Sequence, residues 1–220
     1  VSIDIPHLIL SFGFVIVLLS FHEYAHALVA SWLGDRTAEY AGRKTLNPAV
    51  HIDPFGTILL PLMLLLAGMP AFGGAKPVPV DLRSLRNPKR DHALIALAGP
   101  MMNILLAFGG VILIRVLLLR PTPTVANFVT KILAIPIWIS LYLAGFNLLP
   151  IPPLDGYNIL LGILPHRQAY EFAKLERYSM PLLMGLIFIP YLLRIPNPIF
   201  IFIRGIARGL FTVMMKLVGM

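Results

Sequence analysis

The sequence predicts an all-α polytopic membrane protein, a bundle of about five to six transmembrane helices with a re-entrant or β-hairpin-like segment after the first helix. Three observations carry that prediction. The 220 residues are 58% hydrophobic and only 13% charged, with a mean hydropathy of +0.83, whereas soluble domains run at roughly 45–50% apolar. Several apolar runs reach the ~20 residues that cross a bilayer core as a helix. The alternating pattern of an outer-membrane barrel is missing.

The formal charge is +8, but the lysines and arginines sit in short clusters between apolar runs. They read as topology signals and contacts to anionic lipid, and no nucleic-acid partner is expected. Without cysteine there is no disulfide framework, thiolate nucleophile or Cys-based metal site. The chain reads as one membrane-embedded domain over residues 1–220, with no separate soluble domain.

Pro6 to Leu33 reads as the first helix, with Pro6 in the first turn and Gly34-Asp35-Arg36 as its stop. It is too long for a signal peptide and lacks a basic start and a cleavage site, so it is expected to remain in the mature protein. Residues 46–80 are broken by Pro48, Pro54, Pro61 and Pro70, and their apolar core from Thr57 to Gly68 is short for a span. Basic clusters flank this region on both sides, which places both its ends on one face and predicts a re-entrant segment or packed hairpin.

Asp91 to Arg120 reads as a second long helix, interrupted by Pro100 and carrying Ala98, Gly99, Gly109 and Gly110 where a neighbour can pack closely. Asn127 to Leu149 returns and ends at the prolines of "PIPPLDG". Tyr178 to Leu193 reads as a further span. Ile199 to Met220 carries Arg204, Arg208, Thr212 and Lys216 at successive fourth positions, a polar stripe on a helix that either spans or lies in the interface.

The chemistry concentrates in His22-Glu23-Tyr24-Ala25-His26. Residues four apart on a helix share a face, so two imidazoles can hold one zinc ion, and Glu23 beside them can take a proton from an activated water. Each intramembrane ionisable group costs a few kcal/mol, so three within five residues imply an internal partner. Candidates for a third ligand are Asp155, His51, Asp53, Asp35 and Glu39. Asp155 is favoured because Pro150, Pro152 and Pro153 stop the preceding helix and Gly156 permits a tight approach. The bland alternative is that Asp155 caps the next helix. Behind Asp155, His51 and Asp53 have three other roles open to them: to cap, to hydrogen-bond the loop, or to orient a ligand from behind. Asn103 and Asn147 either tie helices together or contact the substrate backbone and its scissile carbonyl. His7, His92 and His166 are expected toward the interface.

Taken together, "HEYAH", "AGPMMN" and "NLLPIPPLDG", with "GRKTLNPAVHIDPFGTILLP" and "GGAKPVPV" between them, resemble the site-2 protease family of intramembrane zinc metalloproteases, in its compact branch without a PDZ domain. The resemblance implies one zinc ion per chain held by His22, His26 and Asp155, and Glu23 as general base. It implies a transmembrane protein or peptide as substrate, and a hairpin-like region that receives it in extended form. In that family the Asp-Gly pair is often followed by a second Gly, where this chain has Tyr157.

From Glu23 to Gly34 is eleven residues, or ~16 Å, which puts the site inside the membrane but nearer the cytoplasmic face and calls for a polar channel from that side. A prokaryotic cytoplasmic membrane is the expected location, and a homo-oligomer or a regulatory membrane partner is compatible with the reading. A metal transporter and a non-catalytic membrane scaffold are the competing readings; the single clustered site and the intact Glu23 argue against both.

Overall fold

A computed structural model describes residues 4–66 and 73–220. Helix α1 (Ile5–Trp32) begins where Asp4 Oδ1 accepts the His7 N–H at 3.2 Å, and it ends before Gly34, whose φ of +109° no β-carbon-bearing residue adopts readily. A short turn of helix, α2 (Thr37–Tyr40), follows. Pro48–Val50 forms a 3₁₀ turn, and Pro54–Leu59 forms a π-helical turn that runs into α3 (Leu60–Leu66). The expected end of this apolar run at Gly68 and its break at Pro70 lie outside the described residues.

Helix α4 (Pro88–Leu117) starts three residues before the sequence reading, because Pro88 occupies the first turn and the Asp91 carboxylate accepts the Asn87 N–H at 2.9 Å. Helix α5 (Pro123–Phe128) continues through a π turn at Val129–Leu133 into α6 (Ala134–Asn147). The prolines of 150–153 then carry the chain to α7 (Asp155–Ile163). Helix α8 (His166–Ala173), which has one charged face, and a 3₁₀ turn at Lys174–Tyr178 lead to α9 (Ser179–Leu192) and α10 (Pro198–Leu217).

The architecture is an all-α polytopic bundle. Among the described residues, four helical stretches are long and apolar enough to cross a bilayer, namely α1, α4, Pro123–Asn147 and α10. Helix α9 has 14 residues, or about 21 Å against a hydrocarbon core of ~30 Å, so the expected span there is a short one. No strand occurs among the described residues. The hairpin-like segment has one helical leg, Pro54–Leu66, and one extended leg, residues 73–81. Gly74 N donates to Gly56 O at 3.2 Å and Thr57 Oγ1 to Gly74 O at 2.7 Å, tying the legs together.

Helices α1, α4, α6 and α7 surround the polar centre. Val111 and Ile114 of α4, Ile137 and Leu141 of α6, and Ala207 and Met214 of α10 form the largest apolar cluster. Helix α10 lies antiparallel along α6: Ile203 sits level with Gly145, and Phe211 stacks on Trp138 at 4.8 Å. This buries Ile199, Ile203, Ala207 and Met214 and turns the stripe of Arg204, Arg208, Thr212 and Lys216 away from the bundle.

Three acidic candidates for a third ligand are spent on holding the loops. Asp35, fully buried, accepts from Thr37 N and Oγ1 with one oxygen and from Asp81 N with the other. Glu39 pairs with Arg36 at 2.7 Å and Lys44 at 3.5 Å, and the hydrogen bond from Arg36 holds its carboxyl down at about 2. Asp53 caps the π turn, with Oδ2 accepting from Gly56 N at 3.0 Å. Loss of that cap in Asp53→Ala is expected to lower stability by about 1 kcal/mol in a thermal melt. Zinc stoichiometry should be unchanged, and a parallel loss of metal would give Asp53 a role at the site instead.

Candidate active site

His22 and His26 lie one turn apart on α1, where the helix carries its buried face toward α4. They are 3% and 8% exposed, and Glu23 between them is 8% exposed. The three side chains bring one ligand atom each within 4.8 Å of one another. Asp155 arrives from the other side of the bundle. Its Oδ2 stands 3.1 Å from His22 Nε2 and its Oδ1 3.4 Å from His26 Nε2.

Helix α7 explains how. Asp155 is its first residue, and the capping position belongs to Leu154, with no side-chain cap hydrogen bond. The Asp155 carboxylate therefore turns inward to the histidines rather than back onto its own helix. Gly156 makes this possible: a β-carbon there would run into the carbonyls of Leu148 and Leu149.

Helix α4 supplies a matching face, because Ile95, Gly99 and Asn103 recur every fourth residue. Ile95 O lies 2.7 Å from His26 Nδ1, and Asn103 Nδ2 lies 3.2 Å from His22 Nδ1. Gly99 sits between them, and a β-carbon on it would meet Nε2 of both histidines. A carbonyl can only accept, so His26 carries a proton on Nδ1, and the neutral ring then has its lone pair on Nε2.

The donor set fits a zinc ion. Two imidazole Nε2 atoms and a carboxylate converge, and the buried Asp155 Oδ2 faces His22 rather than a backbone N–H or a helix cap. Nitrogen and carboxylate donors in threes are the set that leaves a fourth position of a tetrahedral ion for water. Zinc would be held by His22, His26 and Asp155.

Glu23 points to a different neighbour. Its Oε2 accepts the Val78 N–H at 3.0 Å. Val78 stands between Pro77 and Pro79, which have no N–H to give, so within residues 77–79 the backbone donor is its own. The extended leg is held in place by Arg43, which is buried and donates to Lys76 O at 2.6 Å, Pro77 O at 3.3 Å and Val50 O. Lys76 N adds a bond to His51 O at 2.8 Å. Sequence reasoning marked Gly99 as a place of close packing without identifying the histidines as its neighbours, and it gave no site role to Arg43 or Val78. The "GPMMN" spacing contained a hint of the first, since Gly99 and Asn103 are one turn apart.

The remaining predicted residues fall elsewhere. His51 is buried and donates from Nε2 to Thr45 O at 2.8 Å, so it orders the loop under the extended leg. Asn147 donates to Leu143 O of its own helix at 3.0 Å. His7 and His166 are exposed and His92 half-buried.

Comparisons with known proteins agree with this arrangement. The profile of peptidase family M50 matches residues 10–120 and 108–190. A Bacillus subtilis protein, YwhC, is 39% identical over 84% of this chain and 81% of its own length. The Rip2 proteins of Mycolicibacterium smegmatis and Mycobacterium tuberculosis are each 30% identical over 80% of this chain, which spans 65% and 66% of their lengths. All three are provisionally named zinc metalloproteases. No solved structure matches. With its bundle of apolar helices and a family profile that runs through both halves of the site, this integral membrane protein belongs to peptidase family M50.

Proposed function

We propose that the chain is an intramembrane zinc metalloprotease that hydrolyses peptide bonds in or near transmembrane segments of membrane-protein substrates. The observation that carries the proposal is the convergence of His22 Nε2, His26 Nε2 and the Asp155 carboxylate, with Glu23 beside them. The names of the relatives support the metal and the reaction class.

Such an ion, when bound, supplies Lewis-acid polarisation of a peptide carbonyl and makes water a nucleophile at neutral pH. The chain's own residues supply the rest. His26 is locked by Ile95 O and Asp155 is freed from capping, so the donors need little reorganisation. Glu23 takes the proton of the attacking water and delivers it to the departing amine nitrogen, so that one peptide C–N bond breaks as one C–O bond forms. The Val78 N–H holds the Glu23 carboxylate in one orientation. A helical substrate hides its peptide bonds in its own hydrogen bonds and must unwind locally to be cut, and the extended leg at 73–81 lies beside Glu23, where an unwound segment can align.

The test pairs the purified protein with Glu23→Gln, measuring bound zinc and cleavage of single-span substrates in detergent and in vesicles. Both proteins should hold about one zinc per chain, while cleavage by the variant falls by roughly 10²–10⁴-fold, the usual worth of a general base. Zinc uptake into vesicles without cleavage by either protein would replace the protease with a transporter. Zinc-free parent protein would undo the metal assignment itself.

A further inference from the structure

Asn103 is fully buried in the middle of α4, its Nδ2 lies 3.2 Å from His22 Nδ1, and its Oδ1 has no hydrogen-bond partner. We propose that Asn103 is a positioning residue that selects the tautomer of His22, and so decides whether His22 Nε2 is free to bind metal. The inference rests on the metal reading of His22, His26 and Asp155.

A neutral imidazole carries one N–H. A neutral His26 has no choice, since the Ile95 carbonyl accepts from Nδ1 and the lone pair is then on Nε2. His22 has a choice, because its Nδ1 faces an amide whose two ends donate and accept. With Nδ2 toward the ring, Nδ1 accepts, the ring proton sits on Nε2, and it points at Asp155 Oδ2 3.1 Å away. That is the arrangement of a site without metal: a hydrogen occupies the direction a cation would take. With the amide turned over, Oδ1 accepts from Nδ1–H, the ring proton has moved from Nε2 to Nδ1, and Nε2 is bare. The ring keeps one proton throughout. Only the second arrangement presents two bare Nε2 atoms and a carboxylate to one point.

The placement on α4 makes the role specific. Asn103 is two turns from Ile95 on the same face, and His22 is one turn from His26 on α1, so the antiparallel pair of helices sets one acceptor behind each ligand. One acceptor is fixed and the other is an amide that turns. Outer hydrogen-bond partners of this kind are worth roughly 10–100-fold in metal affinity.

The experiment measures zinc affinity of the purified full chain by competition with a chromophoric chelator, for the parent, Asn103→Leu and Asn103→Asp. Leucine fills the space with no acceptor, and affinity should fall by roughly 10–100-fold. An ionised carboxylate only accepts, so Asn103→Asp should bind zinc at least as tightly as the parent. Melting of the metal-stripped proteins separates this from loss of fold. Should Asn103→Leu fail to fold, Asn103→Asp carries the test alone.

Affinity of a folded Asn103→Leu within about twofold of the parent, far from the expected range, overturns the inference, and a concurrent loss of cleavage would move Asn103 to the substrate. Affinity of Asn103→Asp that drops with that of Asn103→Leu also overturns it, since an acceptor would then not be what the site requires. Parent protein that takes up no zinc overturns the metal reading, and this inference with it.

Discussion

Asp155→Ala is expected to abolish cleavage and to lower zinc affinity by more than the roughly 10–100-fold that outer hydrogen-bond partners are worth. The carboxylate faces both His22 Nε2 and His26 Nε2, at 3.1 and 3.4 Å. Without it two neutral imidazoles are left to hold a dication in a bundle of low dielectric, with Glu23, held by the Val78 N–H, as the remaining nearby carboxylate. Asp155→Asn sharpens the comparison, because it keeps the shape and the capping ability of the side chain and removes the charge. If Asp155 served α7 as a cap, the asparagine variant would behave as the parent and alanine would cost about 1 kcal/mol of stability. The cap of α7 is Leu154, with no side-chain hydrogen bond, so the expected result is loss of zinc in both variants with the helices intact. Bound zinc per chain and far-ultraviolet circular dichroism, measured on the same samples, decide it. Full zinc occupancy in Asp155→Ala would remove Asp155 from the metal site.

Why these residues could be named from sequence, and others could not, follows from the kind of constraint each one obeys. The spacing of His22 and His26 expresses a helical period, and their cost in a membrane makes an internal partner necessary. Asp155 was legible because prolines and a glycine beside a carboxylate mark a place where the backbone must turn. The spans were legible as apolar runs, though α9 comes out short and α4 begins earlier than its hydropathy suggests, because Pro88 and Asp91 act at the helix start. The irregular stretch at 46–80 resisted. Its His51, Asp53 and the nearby Asp35 are the polar residues one would assign to a metal, and each is used on hydrogen bonds that order the loops. Arg43 and Val78 were invisible because their roles are long-range: the arginine binds backbone carbonyls more than thirty residues away, and Val78 contributes an N–H that no side-chain pattern reveals.

Gly99→Ala is expected to do what helix propensity says it should not. Alanine in place of glycine inside a helix normally stabilises by about 1 kcal/mol. At position 99 the added β-carbon would fall on Nε2 of both His22 and His26, the two atoms that converge on Asp155. One methyl group would therefore have to push α4 off α1 or turn both rings, and overpacking a buried contact costs on the order of 1–3 kcal/mol. The matched control is on the same helix. Gly109, nearly three turns further along, is exposed and has nothing within 4 Å of the place its β-carbon would occupy, so Gly109→Ala should be neutral or stabilising by up to about 1 kcal/mol. Thermal unfolding of the two metal-stripped variants should thus move in opposite directions, and zinc titration should show binding retained in Gly109→Ala and weakened by at least about 100-fold in Gly99→Ala, beyond what loss of an outer partner explains. If both alanines stabilise alike and both bind zinc, the close approach of α4 to the histidines is not what shapes the site.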